Sequence, residues 1–174
     1  LELPGDRARP VVAADRGADL GVEFPADVSE RFGEIARRYG VTEFMVVHAA
    51  LAVLLARLTA TQDIAVSTPT AGRGQAVLDR LVGMFVNTLV LRTPVRGDHT
   101  IAEVFATVRA ADLDAFAHAD AAFEQVVEQV APVRSTSHSP LFQIALTYAA
   151  VESGAMAGTL SALGLSADGI DLGG

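Results

Sequence analysis

The stretch from Phe44 to Ala56 constrains the fold more than any other part of this chain. Thr42 is a helix-capping residue, and from Met45 to about Leu58 the sequence is apolar on nearly every side of a helix. Such a helix has no face to give to water, so it must lie between other layers. The run contains His48 and is shorter than the roughly 20 residues that cross a bilayer, so a buried helix is the reading it supports. Its neighbours supply the layers. Pro25 suits a helix start, and Val28, Phe32, Ile35 and Ala36 recur at helical spacing until Tyr39-Gly40, a stop signal. Asp63–Thr68 reads as a strand ending at Pro69, and Phe85–Thr93 as another. Thr100-Ile101-Ala102-Glu103 has capping-box spacing. Ile101, Val104, Phe105, Val108, Leu113 and Phe116 continue it as a long helix, with a short one over Phe123–Val130. Leu141–Ala149 has the composition of a buried strand, and weaker strands are expected at Leu20–Phe24 and Thr159–Leu165. Two helices, two strands, two helices and a strand predict an α/β fold, a layered mixed sheet with flanking helices.

Composition narrows the function. Half of the 174 residues are hydrophobic, which excludes general disorder. The 21 acidic against 13 basic residues give a net charge of −8, which argues against binding nucleic acid. The absence of cysteine removes disulfides, thiolate metal sites and a Cys nucleophile. His48, His99, His118 and His138 stand apart, with no pair at metal-ligand spacing, so no metal site is expected. Gly72-Arg73-Gly74 lacks the Lys-Ser/Thr of a phosphate-binding loop. Ser137-His138 has no Gly-x-Ser-x-Gly elbow around it. No secretory leader or membrane span is evident, and a cytoplasmic location is expected.

The segment Val82-Gly83-Met84-Phe85-Val86-Asn87-Thr88-Leu89-Val90-Leu91-Arg92 carries the sharpest functional hint. It is an apolar strand with an amide at its centre and a guanidinium at its end. Burying an amide without partners costs about 1–3 kcal/mol, so Asn87 needs either a neighbouring loop to bond or a cavity to line. Arg92 either reaches solvent at the strand's end or lines the same cavity, and Gly83 permits close backbone approach. Two further blocks follow: His118-Ala119-Asp120-Ala121-Ala122-Phe123-Glu124 and Arg134-Ser135-Thr136-Ser137-His138-Ser139-Pro140-Leu141-Phe142-Gln143.

The three blocks, in this order and approximate spacing, resemble the later motifs of the condensation domain of non-ribosomal peptide synthetases. His118, Asp120, Phe123 and Glu124 match the second block, while Ala119 and Ala122 replace its usual Gln and Pro. Arg134, Ser137, Pro140 and Leu141 match the third, with His138 where Arg is usual. The opening Leu1–Pro10 resembles the mid-domain crossing segment, and Gly169-Ile170-Asp171-Leu172 resembles a later Phe-Asp-Leu strand. The resemblance implies one incomplete lobe of a two-lobed, chloramphenicol-acetyltransferase-like fold. Residues 1–19 would cross from an N-terminal lobe, and 20–174 would form part of the C-terminal lobe.

It also implies a chemistry. Condensation domains join a carrier-tethered acyl thioester to a carrier-tethered aminoacyl amine, and their signature is His-His-x-x-x-Asp-Gly. This sequence has no such motif, so no catalytic residue is expected in it. The expected contribution is a tunnel wall from Gly83, Phe85, Asn87 and Arg92, with Arg73 in the polar 69–80 loop either a solvated charge or a carrier contact. His118, Asp120, Phe123, Glu124, Arg134, Ser137, Pro140 and Leu141 are expected to be structural, with Phe123 pinning the helix pair. His118 and Asp120 lie two apart, where helix side chains diverge, so a helix-end cluster is expected there. His48 reads as a core histidine bonded to a neighbouring carbonyl. Expected partners are the N-terminal lobe, peptidyl and aminoacyl carrier proteins and an adenylation domain, with neither nucleic acid nor membrane among them. No bound cofactor is implied, since the phosphopantetheine arms arrive as substrates on the carriers. A condensation-like docking domain that recruits tailoring enzymes, or an epimerisation-type relative, would carry similar blocks.

Overall fold

The computed structural model describes residues 1–13, 17–71, 80–130 and 135–149. The chain divides into two units, one of Leu1–Ala14 with Phe24–Thr147 and one of Asp15–Glu23 with Tyr148–Gly174. All the helices and strands described below belong to the first. They run in the order α1 (Ala26–Tyr39), α2 (Glu43–Thr59), β1 (Asp63–Thr70), β2 (Asn87–Pro94), α3 (Ile101–Ala117) and α4 (Phe123–Val130).

The local signals explain the boundaries. Pro25 precedes α1, and its carbonyl accepts from the N–H groups of Val28 and Ser29. Gly40 ends that helix at φ 64°, a left-handed conformation that glycine adopts without a Cβ penalty. The Thr42 hydroxyl accepts from the Met45 N–H at 3.2 Å and starts α2. At the head of α3 the capping box forms in full. Thr100 Oγ1 accepts from the Glu103 N–H, and the Glu103 carboxylate accepts from the Thr100 N–H at 2.8 Å.

Helix α2 lies between layers, as its composition demands. One cluster packs Met45, Val46 and Ala49 against Ala36 of α1 and Val104, Phe105 and Val108 of α3. A second packs Ala52 and Leu55 against Ile64, Val66 and Val95. Leu54 and Leu58 remain about half exposed, so one stripe of α2 stays uncovered.

Strands β1 and β2 pair antiparallel, with Ile64 opposite Thr93, Val66 opposite Leu91 and Thr68 opposite Leu89. These residues are all buried, and they mark the side of the sheet that faces the helices. The ladder ends at Thr70 opposite Asn87, so β2 begins later than expected. The expected strand over Leu141–Ala149 is reduced to one parallel bridge, Ser67 with Ala145. The Ser67 N–H donates to Ile144 O at 2.9 Å, and the Leu146 N–H donates to Ser67 O at 2.8 Å. The chain enters this bridge from a tight turn. Leu141 sits at φ 66°, and the Phe142 N–H donates to Pro140 O at 2.8 Å, which is a γ-turn rather than extended backbone. Residues 20–24 form no strand, and the expected strand near Thr159–Leu165 lies outside the described residues.

Candidate functional site

Asn87 is the first residue of β2, on its helix-facing side, and its carboxamide is fully engaged. Nδ2 donates to Ala119 O at 2.9 Å and to Ala121 O at 2.8 Å. Oδ1 accepts from the Phe123 N–H at 3.2 Å and from the Thr88 N–H at 2.9 Å. An amide has two donor hydrogens and an oxygen with two lone pairs, so every one is used. Of the two expectations for Asn87, loop bonding is the one these contacts describe: Asn87 holds the turn that joins α3 to α4.

Arg92 sits five residues on. Side chains alternate along a strand, so an odd separation puts Asn87 and Arg92 on opposite faces of the sheet. They cannot line one wall together. Arg92 is exposed and makes a two-pronged ion pair with Asp63, Nε to Oδ1 at 2.8 Å and Nη2 to Oδ2 at 2.7 Å. The guanidinium holds the Asp63 carboxyl below the usual carboxylate range, chiefly by this hydrogen bond, against an opposing effect of partial burial. Gly83 lies under the Phe85 ring, where a Cβ would meet Cε2 at 3.3 Å. Around it Leu81, Val82, Met84 and Val86 are exposed, Val82 fully. Arg73 and Arg134 lie outside the described residues.

The second and third blocks meet. His118 closes α3, its Nδ1 2.8 Å from the Asp114 carbonyl, and Asp120 is exposed in the turn. No His118–Asp120 pair forms among the described contacts. Phe123 opens α4 and packs on Phe142, with ring centroids 5.6 Å apart. This contact joins α4 to the third block. Pro140 and Ser135 line a cleft of about 420 Å³ with Phe123, Glu124, Val127 and Glu128. Ser137 accepts a hydrogen bond on its carbonyl from Arg9 at 3.3 Å. Thr136 bonds the backbone of Val11 and Ala13, so the opening segment lies along this block. A larger cavity of about 880 Å³ lies there, with Arg7, Arg9, His138 and Gln143 in its lining.

His48 has a partner that the sequence reading missed. Its Nδ1 is 3.2 Å from Asp112 Oδ2 in hydrogen-bonding geometry and 2.9 Å from Oδ1, and both side chains are fully buried. The partner is thus a carboxylate on α3 instead of a carbonyl. The signal was in the sequence. Val104 and Val108 form a stripe at intervals of four, and Asp112 interrupts it at the next position. His48 Nε2 and Thr93 Oγ1 are also buried, with no hydrogen-bond partner among the described residues. Among those residues no three His, Cys, Asp or Glu side chains converge as a metal site would require.

The three blocks are thus in contact, joined by the Asn87 amide and the Phe123–Phe142 pair. The condensation-domain family matches residues 1–168. The chain belongs to that family. It is 47% identical over 148 residues to the isonitrile lipopeptide synthase of Mycobacterium tuberculosis, covering 85% of this chain and 6% of that protein. A four-domain nonribosomal peptide synthetase, solved in its holo form with AMP and glycine, superposes with a TM-score of 0.83 at 30% identity. That match covers 87% of this chain and 12% of the synthetase chain. The X-domain from teicoplanin biosynthesis gives 0.78 at 32% identity, over 83% of this chain and 32% of its own. The chain thus spans a small part of the proteins it resembles and part of a condensation domain, with the chloramphenicol-acetyltransferase-like α/β fold of its relatives. The function of the family is peptide-bond formation between carrier-tethered substrates.

Proposed function

We propose that this chain forms part of a condensation domain and serves amide formation by positioning, with no proton transfer of its own. In such a domain a neutral amine attacks a thioester carbonyl, and the rate depends on holding two tethered substrates in line and stabilising the oxyanion. The observation that carries this reading is the contact of the three motif blocks within a segment matching the family over residues 1–168. Arg92, exposed on the face away from the helices, is a cation that would meet the phosphate of an incoming phosphopantetheine arm by exchanging for it the Asp63 carboxylate. Peptidyl and aminoacyl carrier proteins, the remainder of the domain and a neighbouring adenylation domain are the partners of this reading. The arms are substrates, and the chain holds no cofactor of its own.

The test uses donor- and acceptor-loaded carrier proteins. A complete condensation domain carrying this segment should form the amide, and the isolated chain should not. Turnover by the isolated chain above background would overturn the positioning reading and direct attention to His118 and His138.

A second reading has one observation in its favour. The teicoplanin X-domain, which this chain resembles at 32% identity, has been solved in complex with OxyB. A complete domain that binds a tailoring enzyme tightly but forms no amide would establish docking instead.

A further inference from the structure

We propose that the end of the fold where β2 hands over to α3 carries a docking pocket for an acidic segment of a partner protein, one that presents a leucine-sized side chain flanked by carboxylates. The condensation reading draws on the opposite end of β2, and this inference goes beyond it. At 3.4 Å per residue, the eight-residue strand puts the pocket roughly 24 Å from Asn87.

Shape is the first ground. A pocket of about 290 Å³ opens between the end of α2, the start of β1 and the connection from β2 to α3. Val95 and Val104 are buried in its wall, Val53 is half-buried, and Ile101 is exposed. The volume lies below the ~300–1,000 Å³ of a site for a whole small molecule, and it suits one aliphatic side chain. The walls are set before anything binds. The Val95 N–H donates to Gln62 O at 2.7 Å, and the His99 N–H closes a turn on Arg96 O at 3.2 Å. A partner therefore has little to order on this side. Leu54, three residues before Arg57 and so beside it on α2, is about half exposed and extends the apolar surface.

Charge is the second ground. Arg57, Arg96 and His99 line the pocket and no acidic side chain does, in a chain whose net charge is −8. The two carboxylates nearby are engaged: Glu103 caps Thr100, and Asp98 meets Arg96 at 3.0 and 3.1 Å. Both members of the Asp98–Arg96 pair are well exposed, and such pairs contribute little, so a partner's carboxylate can replace Asp98 at small cost. His99 Nδ1 accepts from the Arg96 N–H at 3.4 Å, which leaves Nε2 as the nitrogen that donates. Three donor groups around an apolar hollow match carboxylates on either side of an aliphatic side chain. A bare phosphate would use the donors and leave the hollow empty.

The probe is the blocked peptide acetyl-Glu-Leu-Glu amide, titrated into the isotope-labelled chain and followed by nuclear magnetic resonance. The backbone amide signals of Arg57, Gln62, Gly97 and His99 should shift together and saturate with a Kd on the order of 1 mM. Acetyl-Gln-Leu-Gln amide and acetyl-Glu-Ala-Glu amide should each bind about tenfold more weakly. The double variant Arg57→Gln/Arg96→Gln should weaken the acidic peptide at least about tenfold. Arg31→Gln, which removes the same charge from an exposed position on α1, should leave binding unchanged. If the double variant does not melt cooperatively, Arg57→Gln alone carries the test, with a loss of about threefold. Binding of acetyl-Glu-Ala-Glu amide or inorganic phosphate as tight as that of the leucine peptide would mean an anion site only and would overturn the inference. So would shifts centred elsewhere, or an equal loss in Arg31→Gln. Shifts that grow with the chain's own concentration would seat a second copy there and overturn it too. No condensation assay enters this test, so the two readings stand or fall separately.

Discussion

Two carboxylate pairs in this molecule invert the usual relation between geometry and importance. Asp63 and Arg92 make the better contact, two aligned hydrogen bonds at 2.7 and 2.8 Å, with side chains 55% and 75% exposed. Asp112 and His48 make one aligned bond at 3.2 Å and are fully buried. Water and mobile ions already stabilise the exposed charges, so the pair gains little by meeting. In the interior nothing replaces a lost partner, and a lone carboxyl or imidazole would be stranded among Val108 and its neighbours. The inner pair also joins residues 64 apart in sequence, fixing α2 against α3, whereas the outer one spans adjacent strands already in register.

The largest effect expected from this contrast is at the inner pair. Asp112→Ala should cost about 3–5 kcal/mol of stability, because it leaves His48 buried beside a void. The double variant His48→Leu/Asp112→Val should lie much closer to the unmutated chain, since two apolar groups strand no charge. Urea denaturation of the single and double variants decides it. A double variant as unstable as the single would mean that the pair contributes shape and not electrostatics.

The smallest effect is at the outer pair, and it shows in acid. Asp63 has its folded pKa lowered by Arg92, so it contributes stability that is present above the ordinary carboxylate range and lost as pH falls through the lowered value. Arg92→Ala should lower stability slightly near pH 7, and that loss should vanish as pH falls, flattening the decline of melting temperature below about pH 5 by the same small amount. The flattening should be partial. Asp98, lowered mainly by Arg96, and Glu103, lowered mainly by the Thr100 backbone, titrate in the same direction. An unchanged acid slope would show that the Arg92 fork does not persist in solution.

Helix boundaries were legible because capping is local. Pro25, Gly40, Thr42 and the Thr100–Glu103 box each act within four residues of themselves. Strand extent was less so. An apolar run such as Leu141–Ala149 states that a segment wants burial, but it opens on the γ-turn at Leu141 and makes one bridge among the described residues. The motif blocks were legible as blocks, and their contacts were not. Asn87 bonds backbone carbonyls 32 and 34 residues away, and a carbonyl has no letter in a sequence. Two features were readable and went unread. The odd spacing of Asn87 and Arg92 already put them on opposite faces, and Asp112 broke an apolar stripe facing the helix of His48.

The bridge between Ser67 and Ala145 has a consequence for the order in which the chain folds. The Ser67 hydroxyl and the Ile144 carbonyl it approaches are 77 residues apart, and closing a loop of that length costs roughly 4 kcal/mol of chain entropy. Two backbone hydrogen bonds recover only part of that, so the contact cannot nucleate folding. The connection between α1 and α2 and the pairing of β1 with β2 close far shorter loops. They should be in place while residues 135–149 are still searching. Substitutions at Ile144 or Leu146 should therefore speed unfolding and leave the folding rate nearly unchanged. The third motif block is then the last part of the site to be assembled and the first to be released.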